Sequence, residues 1–108
     1  MDRVTVGTWR AKRPGTRRER RRGWLGRDRI DPQDALLLDR CRSVHTFGMR
    51  LPITVVFLDG SWSVIRVVRA PPGRLMFCRR SRRVLECHIG VNVRLGEVLT
   101  PMTAPPRA

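Results

Sequence analysis

Tyrosine is absent from this 108-residue chain, and aromatics of any kind make up only 6% of it. A core must therefore be built mainly from Val, Leu and Ile, whose branching favours strands. Cysteine is scarce and odd in number: Cys41, Cys78 and Cys87 cannot make an even disulfide framework, which points to a reducing compartment with thiols buried as small apolar groups. The first residues carry no apolar h-region, so no secretory leader is expected. The longest apolar run, 51–58, falls far short of the ~20 residues a membrane helix needs. A soluble cytoplasmic protein is the simplest expectation. Glycines are isolated and match neither dinucleotide-binding nor P-loop spacing.

Arginine is what the chain has in excess. Lys12 is the one lysine among 23 basic residues, set against 9 acidic ones, and the net charge is +14. A field of that sign attracts nucleic acid, anionic lipid and acidic proteins. High-GC coding produces the same arginine bias, which dilutes the inference. The length suits one small domain.

Residues 1–15 read as an extended segment, with Val4 and Val6 alternating with polar neighbours and Pro14-Gly15 as a break. Thr16 and Glu19 have the spacing of a capping box for a helix over 16–25. Arg17, Arg18, Arg20, Arg21 and Arg22 crowd that helix, and like charges at i,i+4 oppose it. It is either an arginine-rich arm for phosphates or a solvated helix face. Strands are expected over 35–38, 49–58, 62–68, 75–78 and 84–88, with a last short one at 98–100. Asp59-Gly60 marks a hairpin, and 90–95 suits a turn or two of helix. Arg79, Arg80, Arg82 and Arg83 form a second basic run on a loop or edge. Residues 101–108 are a Pro-rich tail with nothing to bury, expected to be disordered. This pattern predicts an α+β domain over 16–100: a β-rich, twisted, partly closed antiparallel sheet, half-barrel-like, with one or two short helices.

The run Cys41-Arg42-Ser43-Val44-His45-Thr46-Phe47-Gly48-Met49-Arg50, followed by Leu51-Pro52-Ile53 and Val55-Val56-Phe57-Leu58-Asp59, resembles the core of the bacterial and archaeal domain of unknown function 192. Arg22-Gly23-Trp24-Leu25-Gly26-Arg27 resembles the family's opening segment, Ala35-Leu36-Leu37-Leu38 its first apolar strand, and Val84-Leu85-Glu86 with Leu95-Gly96-Glu97-Val98-Leu99 its close. The resemblance implies a compact, mostly β domain and supplies no reaction. Thr54 stands where the family usually has Asp, which puts any role needing a carboxylate there in doubt.

His45 carries an imidazole, which can serve as base, ligand or hydrogen-bond donor, and lies in a segment expected to be irregular, where functional residues concentrate. It is either a base or donor, or a histidine bonded to a loop carbonyl. Arg50 can grip a carboxylate or phosphate bidentately, or pair with an acid such as Asp59 or Glu86. Glu86 sits in an apolar strand: a buried carboxylate needs a partner or a raised pKa, whereas an outward-facing one needs neither. Cys41, His45 and Met49 are soft ligands at four-residue spacing, but Gly48 and Pro52 argue against a helix there, and no metal or cofactor is expected. Cys41 with His45 suggests a nucleophilic pair, and a thiol near Arg42 would have a lowered pKa. No orienting acid or nucleophile turn is readable, so the balance leans away from an enzyme.

The expected function is a non-catalytic binding module. Its pocket would use His45, Thr46, Phe47, Met49, Arg50 and Glu86 for an anionic small molecule or an acidic protein partner. Nucleic-acid binding through the two arginine runs is the alternative; the runs form one surface if the 16–25 segment packs near the 79–83 loop, with Trp9, Trp24 and Trp62 available to stack on bases. A third reading is an enzyme of unknown reaction with His45 as base.

Overall fold

The computed structural model describes residues 2–16, 19, 20 and 23–102. Nine strands form in chain order: β1 (Asp2–Val6), β2 (Trp9–Arg13), β3 (Asp34–Asp39), β4 (Ser43–His45), β5 (Ile53–Leu58), β6 (Val64–Ala70), β7 (Leu75–Phe77), β8 (Arg83–His88) and β9 (Pro101–Met102). Seven of them make one curled, half-barrel sheet in the order β6-β5-β8-β3-β2-β1-β9, while β4 and β7 pair separately. All pairings are antiparallel except β2 with β3. A parallel pair needs a long crossover. The chain supplies it with 14–33, the segment that holds the first arginine run.

The central strands are apolar on both faces because both faces are covered. Every residue of β5 is buried. One face buries Val6, Leu37, Val56, Leu58, Leu85 and Leu99. The other buries Leu36, Leu38, Ile53, Val55, Phe57 and Val84 under Trp24 and Ile30 of the crossover. Phe57, Ile53 and Leu58 are wholly removed from water, each contributing about 1.5–3 kcal/mol of transfer free energy.

The expected α+β class is overturned: the fold is almost all β, and among the described residues only Glu19 and Arg20 are helical. Arg17, Arg18, Arg21 and Arg22 of the predicted helix lie outside the described residues. What is described there is one turn. The Arg20 N–H donates to the Thr16 carbonyl at 3.0 Å, and the Gly23 N–H to that of Glu19 at 3.1 Å. The expected cap is present, with the Glu19 N–H on the Thr16 hydroxyl at 3.1 Å. No helix forms over 90–95. Val91 is buried and Val93 packs on the same apolar cluster, so two β-branched side chains serve the core from irregular backbone.

Three strand expectations shift. Residues 43–45, read as irregular, form β4 against β7. The central strand starts at Ile53 rather than 49. Val98 makes only an isolated bridge to Ser63, and Pro101 and Met102, read as tail, pair with Val6 and Thr5. Residues 103–108 lie outside the described residues. The Asp59-Gly60 hairpin is longer than two residues: the Asp59 carboxylate accepts from the N–H groups of Ser61 and Ser63 at 2.8 and 3.0 Å.

Candidate functional site

A hollow of about 440 Å³ opens where the crossover meets the β4–β7 pair. Its walls are apolar: Trp24, Leu25, Leu38, Val44, Phe47 and Met49. Cys41, Ser43, His45, Arg20 and Glu86 complete the lining. Four of the six predicted binding residues therefore converge: His45, Phe47, Met49 and Glu86.

Glu86 is placed by register. It lies opposite Leu36 on one side and Val55 on the other, both in the cluster beneath Trp24. Strand alternation sends it inward with Val84. It is 8% exposed, and no hydrogen bond or ion pair reaches its carboxylate among the described residues. Burial alone pushes its pKa from the ordinary 4.5 up to about 7, because the charged form loses its hydration. The alternative of an outward strand position does not arise in a sheet covered on both faces.

His45 ends β4. Its ring is exposed and stacks on Phe47 with centroids 5.1 Å apart and planes at 21°. Gly48 follows with φ of +79°. A Cβ there would come within 3.3 Å of Leu25, so glycine serves both the left-handed turn and the close approach to the opposite wall.

Thr46 and Arg50 are not part of the lining. Thr46 is fully buried; its hydroxyl donates to the Pro71 carbonyl at 2.7 Å and accepts from the Arg74 N–H at 2.9 Å. It fastens the 46–50 loop to the 71–74 turn. Arg50 is exposed and pairs with Asp28 at 2.9 Å, not with Asp59 or Glu86. The Cys41 thiol donates to the Ser43 carbonyl at 3.2 Å. Desolvation raises its pKa, opposite to the lowering expected from nearby arginine, so it stays a neutral thiol. Burial likewise pushes the Cys87 thiol up. Thr54 lies on the other sheet face, opposite Cys87, with its hydroxyl donating to the Ile89 carbonyl at 3.2 Å. Thr54 is thus outside this hollow. No group of three His, Cys, Asp or Glu side chains suited to a metal gathers among the described residues.

Of the second basic run, Arg82 and Arg83 meet Arg20 of the first run across a separate cleft that also takes in Arg13 and Arg40. Arg79 and Arg80 sit exposed on the turn before it. Trp9 and Trp24 are buried, and Trp62 has the Arg83 guanidinium 4.0 Å above its ring. The expected aromatic platforms are therefore occupied. Arg13 and Arg40 were not predicted as site residues, and Trp24 and Cys41 were weighed only as a base-stacking ring and as half of a nucleophilic pair. Trp24 and Cys41 carried a signal, since both stand in the segments that resemble the family pattern. Arg13 and Arg40 carried none beyond their charge.

These features define a small curled-sheet β domain with an apolar hollow floored by one acid. The chain belongs to the domain of unknown function 192 family, described as "Uncharacterized ACR", whose pattern matches residues 3–97. Two solved structures share the fold. A protein of unknown function from Novosphingobium aromaticivorans DSM 12444 aligns with a TM-score of 0.78 at 18% identity, over 91% of this chain and 83% of that one. A protein from Sinorhizobium meliloti 1021, provisionally called a transcription regulator, aligns at 0.75 and 19% identity over 92% and 90%. No functionally curated protein matches the sequence. No helix among the described residues is long and apolar enough to cross a membrane.

Proposed function

We propose that the protein is a binding module for a small, mostly apolar molecule whose polar head donates a hydrogen bond to Glu86. The observation that carries this reading is the Glu86 carboxyl, without a hydrogen-bond or ion-pair partner among the described residues, in a hollow whose walls are mostly apolar. A buried polar group without a partner is costly, and a donor brought in by a ligand offsets that cost. The hollow's volume suits a small ligand. Met49 gives an adaptable wall, and the stacked His45–Phe47 pair gives a flat edge at the rim.

The ligand class differs from the anion expected from sequence. An anionic head would meet a like charge once Glu86 ionises, and Arg50 is held elsewhere by Asp28. A hydroxyl, amide or protonated amine meets Glu86 favourably in either protonation state. The regulator role attached to the S. meliloti protein is not carried over; at 19% identity that likeness concerns the fold.

A matched series tests this: cyclohexylamine, cyclohexanol and cyclohexanecarboxylate, titrated at pH 8 while the Met49 methyl is followed by NMR. The amine and the alcohol should shift that signal. The carboxylate should bind about tenfold more weakly than the amine, as one charge-assisted hydrogen bond implies, and Glu86→Gln should abolish the difference. A folded sample whose Met49 methyl ignores all three compounds would end the proposal.

A further inference from the structure

The arginine-lined cleft stands apart from that reading. It measures about 590 Å³, and Arg13, Arg20, Arg40, Arg82 and Arg83 surround Asp39, the one acid among the described residues that line it. We infer that this cleft binds the phosphodiester backbone of duplex nucleic acid.

The five guanidiniums fall into two sets. Three are held in place. Arg13 reaches the Asp39 carboxylate at 2.7 Å through Nε, and Arg83 reaches it at 3.4 Å. Arg20 donates to the Asp39 main-chain carbonyl at 2.6 Å. Each guanidinium has five N–H donors, so these contacts orient the groups and leave donors over. Arg40 and Arg82 are exposed, and neither side chain has a hydrogen-bond or ion-pair partner among the described residues. Arg40 also holds a positive φ of 49°, an uncommon backbone for a residue with a Cβ.

One carboxylate cannot neutralise five guanidiniums. Their mutual repulsion is relieved by an anion, and guanidinium geometry matches phosphate oxygens. The exposed Arg79 and Arg80 extend the positive surface beyond the cleft, which suits a repeating polyanion better than one isolated phosphate. No aromatic side chain lines the cleft, so it offers bases nothing to stack on. Binding then runs through the backbone, without sequence preference, and a single strand gains no advantage over a duplex.

The test uses the full chain and a labelled duplex of about 20 base pairs, read by fluorescence anisotropy from 50 to 200 mM salt. Arg40→Glu with Arg82→Glu alters the two unpartnered cleft arginines. Arg74→Glu with Arg94→Glu makes the same charge change at exposed positions outside the cleft. Thermal melts establish that both variants fold. The parent should bind, with log K falling linearly in log salt. The cleft variant should bind at least about tenfold more weakly, with a salt slope shallower by about 2. The control should stay within about threefold of the parent. Three results would each overturn the inference: no binding by the parent at 50 mM salt, equal weakening in both variants, or tighter binding of a single strand of the same sequence.

Discussion

The two hollows share a wall at Arg20, and each contains one carboxylate, yet the carboxylates have opposite fates. Asp39 is about one-third exposed and gripped by Arg13 and Arg83. Glu86 is 8% exposed and has no hydrogen-bond or ion-pair partner among the described residues. Position on the sheet accounts for the difference. Asp39 closes β3 at the sheet's end, where register puts Arg83 directly opposite and water still reaches both groups. Glu86 lies further along the same strand pair, between Leu36 and Val55. An arginine there would have to bury its own guanidinium, at a desolvation cost its pairing need not recover. Even at a net charge of +14, the most buried acid among the described residues has no ion-pair partner among them. Among the described residues, five arginines line one cleft and Arg20 alone lines the other, so one cleft suits anions and the other suits a donor.

Glu86→Gln breaks the comparison most strongly. The folded-state pKa of Glu86 lies near 7, above its ordinary 4.5, so between these values the native protein holds more protons than the unfolded chain. Stability then falls as pH rises through that window, and the full cost is present above pH 7. Gln carries no such cost. The variant should be more stable than the parent at pH 8 by up to about 3 kcal/mol, and the two should converge near pH 4.5. Urea unfolding at both pH values measures this. A variant that is less stable than the parent at pH 8 would mean Glu86 has a partner in solution.

Asp39→Asn acts in the opposite direction and more weakly. It leaves Arg13 and Arg83 facing each other without their shared acceptor. Because all three groups keep about a third of their exposure, water screens much of the loss, and the expected cost is about 1 kcal/mol. The same change removes the cleft's one negative charge, so duplex affinity should rise while stability falls. Paired melts and anisotropy titrations read both signs. Weaker duplex binding would show that Asp39 matters by orienting the arginines rather than by opposing the ligand.

The strands were largely legible in the sequence because their signal is local. Val, Ile, Leu and Phe in 53–58 announce a doubly buried strand without reference to anything else. His45, Phe47, Met49 and Glu86 were legible as a group because the family-like string and an acid inside an apolar strand both stand out. The parallel β2–β3 pairing was not, since it depends on a crossover whose packing is set by distant contacts through Trp24 and Ile30. The helix over 16–25 was read from a cap that does exist, and the described residues just behind it, Glu19 and Arg20, are helical. Thr46 and Arg50 were included by adjacency. Neighbouring residues in a loop need not share a direction: Thr46 turns into the 71–74 turn while His45 stays at the rim.

Arg50→Ala should have the smallest effect. The Arg50–Asp28 pair has side chains 64% and 79% exposed, and such pairs contribute little against screening and side-chain entropy. Stability should change by less than about 0.5 kcal/mol, and cyclohexylamine affinity by less than about twofold, since a surface charge outside the lining acts only through solvent. The outcome bears directly on which hollow serves anions. If Arg50 stays on Asp28 when a ligand binds, the Glu86 hollow has no cation facing the ligand head beyond Arg20 at its wall, and anions belong to the arginine cleft. A substantial loss of cyclohexanecarboxylate binding in this variant would instead place Arg50 over the hollow in the bound state, and the division of labour between the two sites would fail.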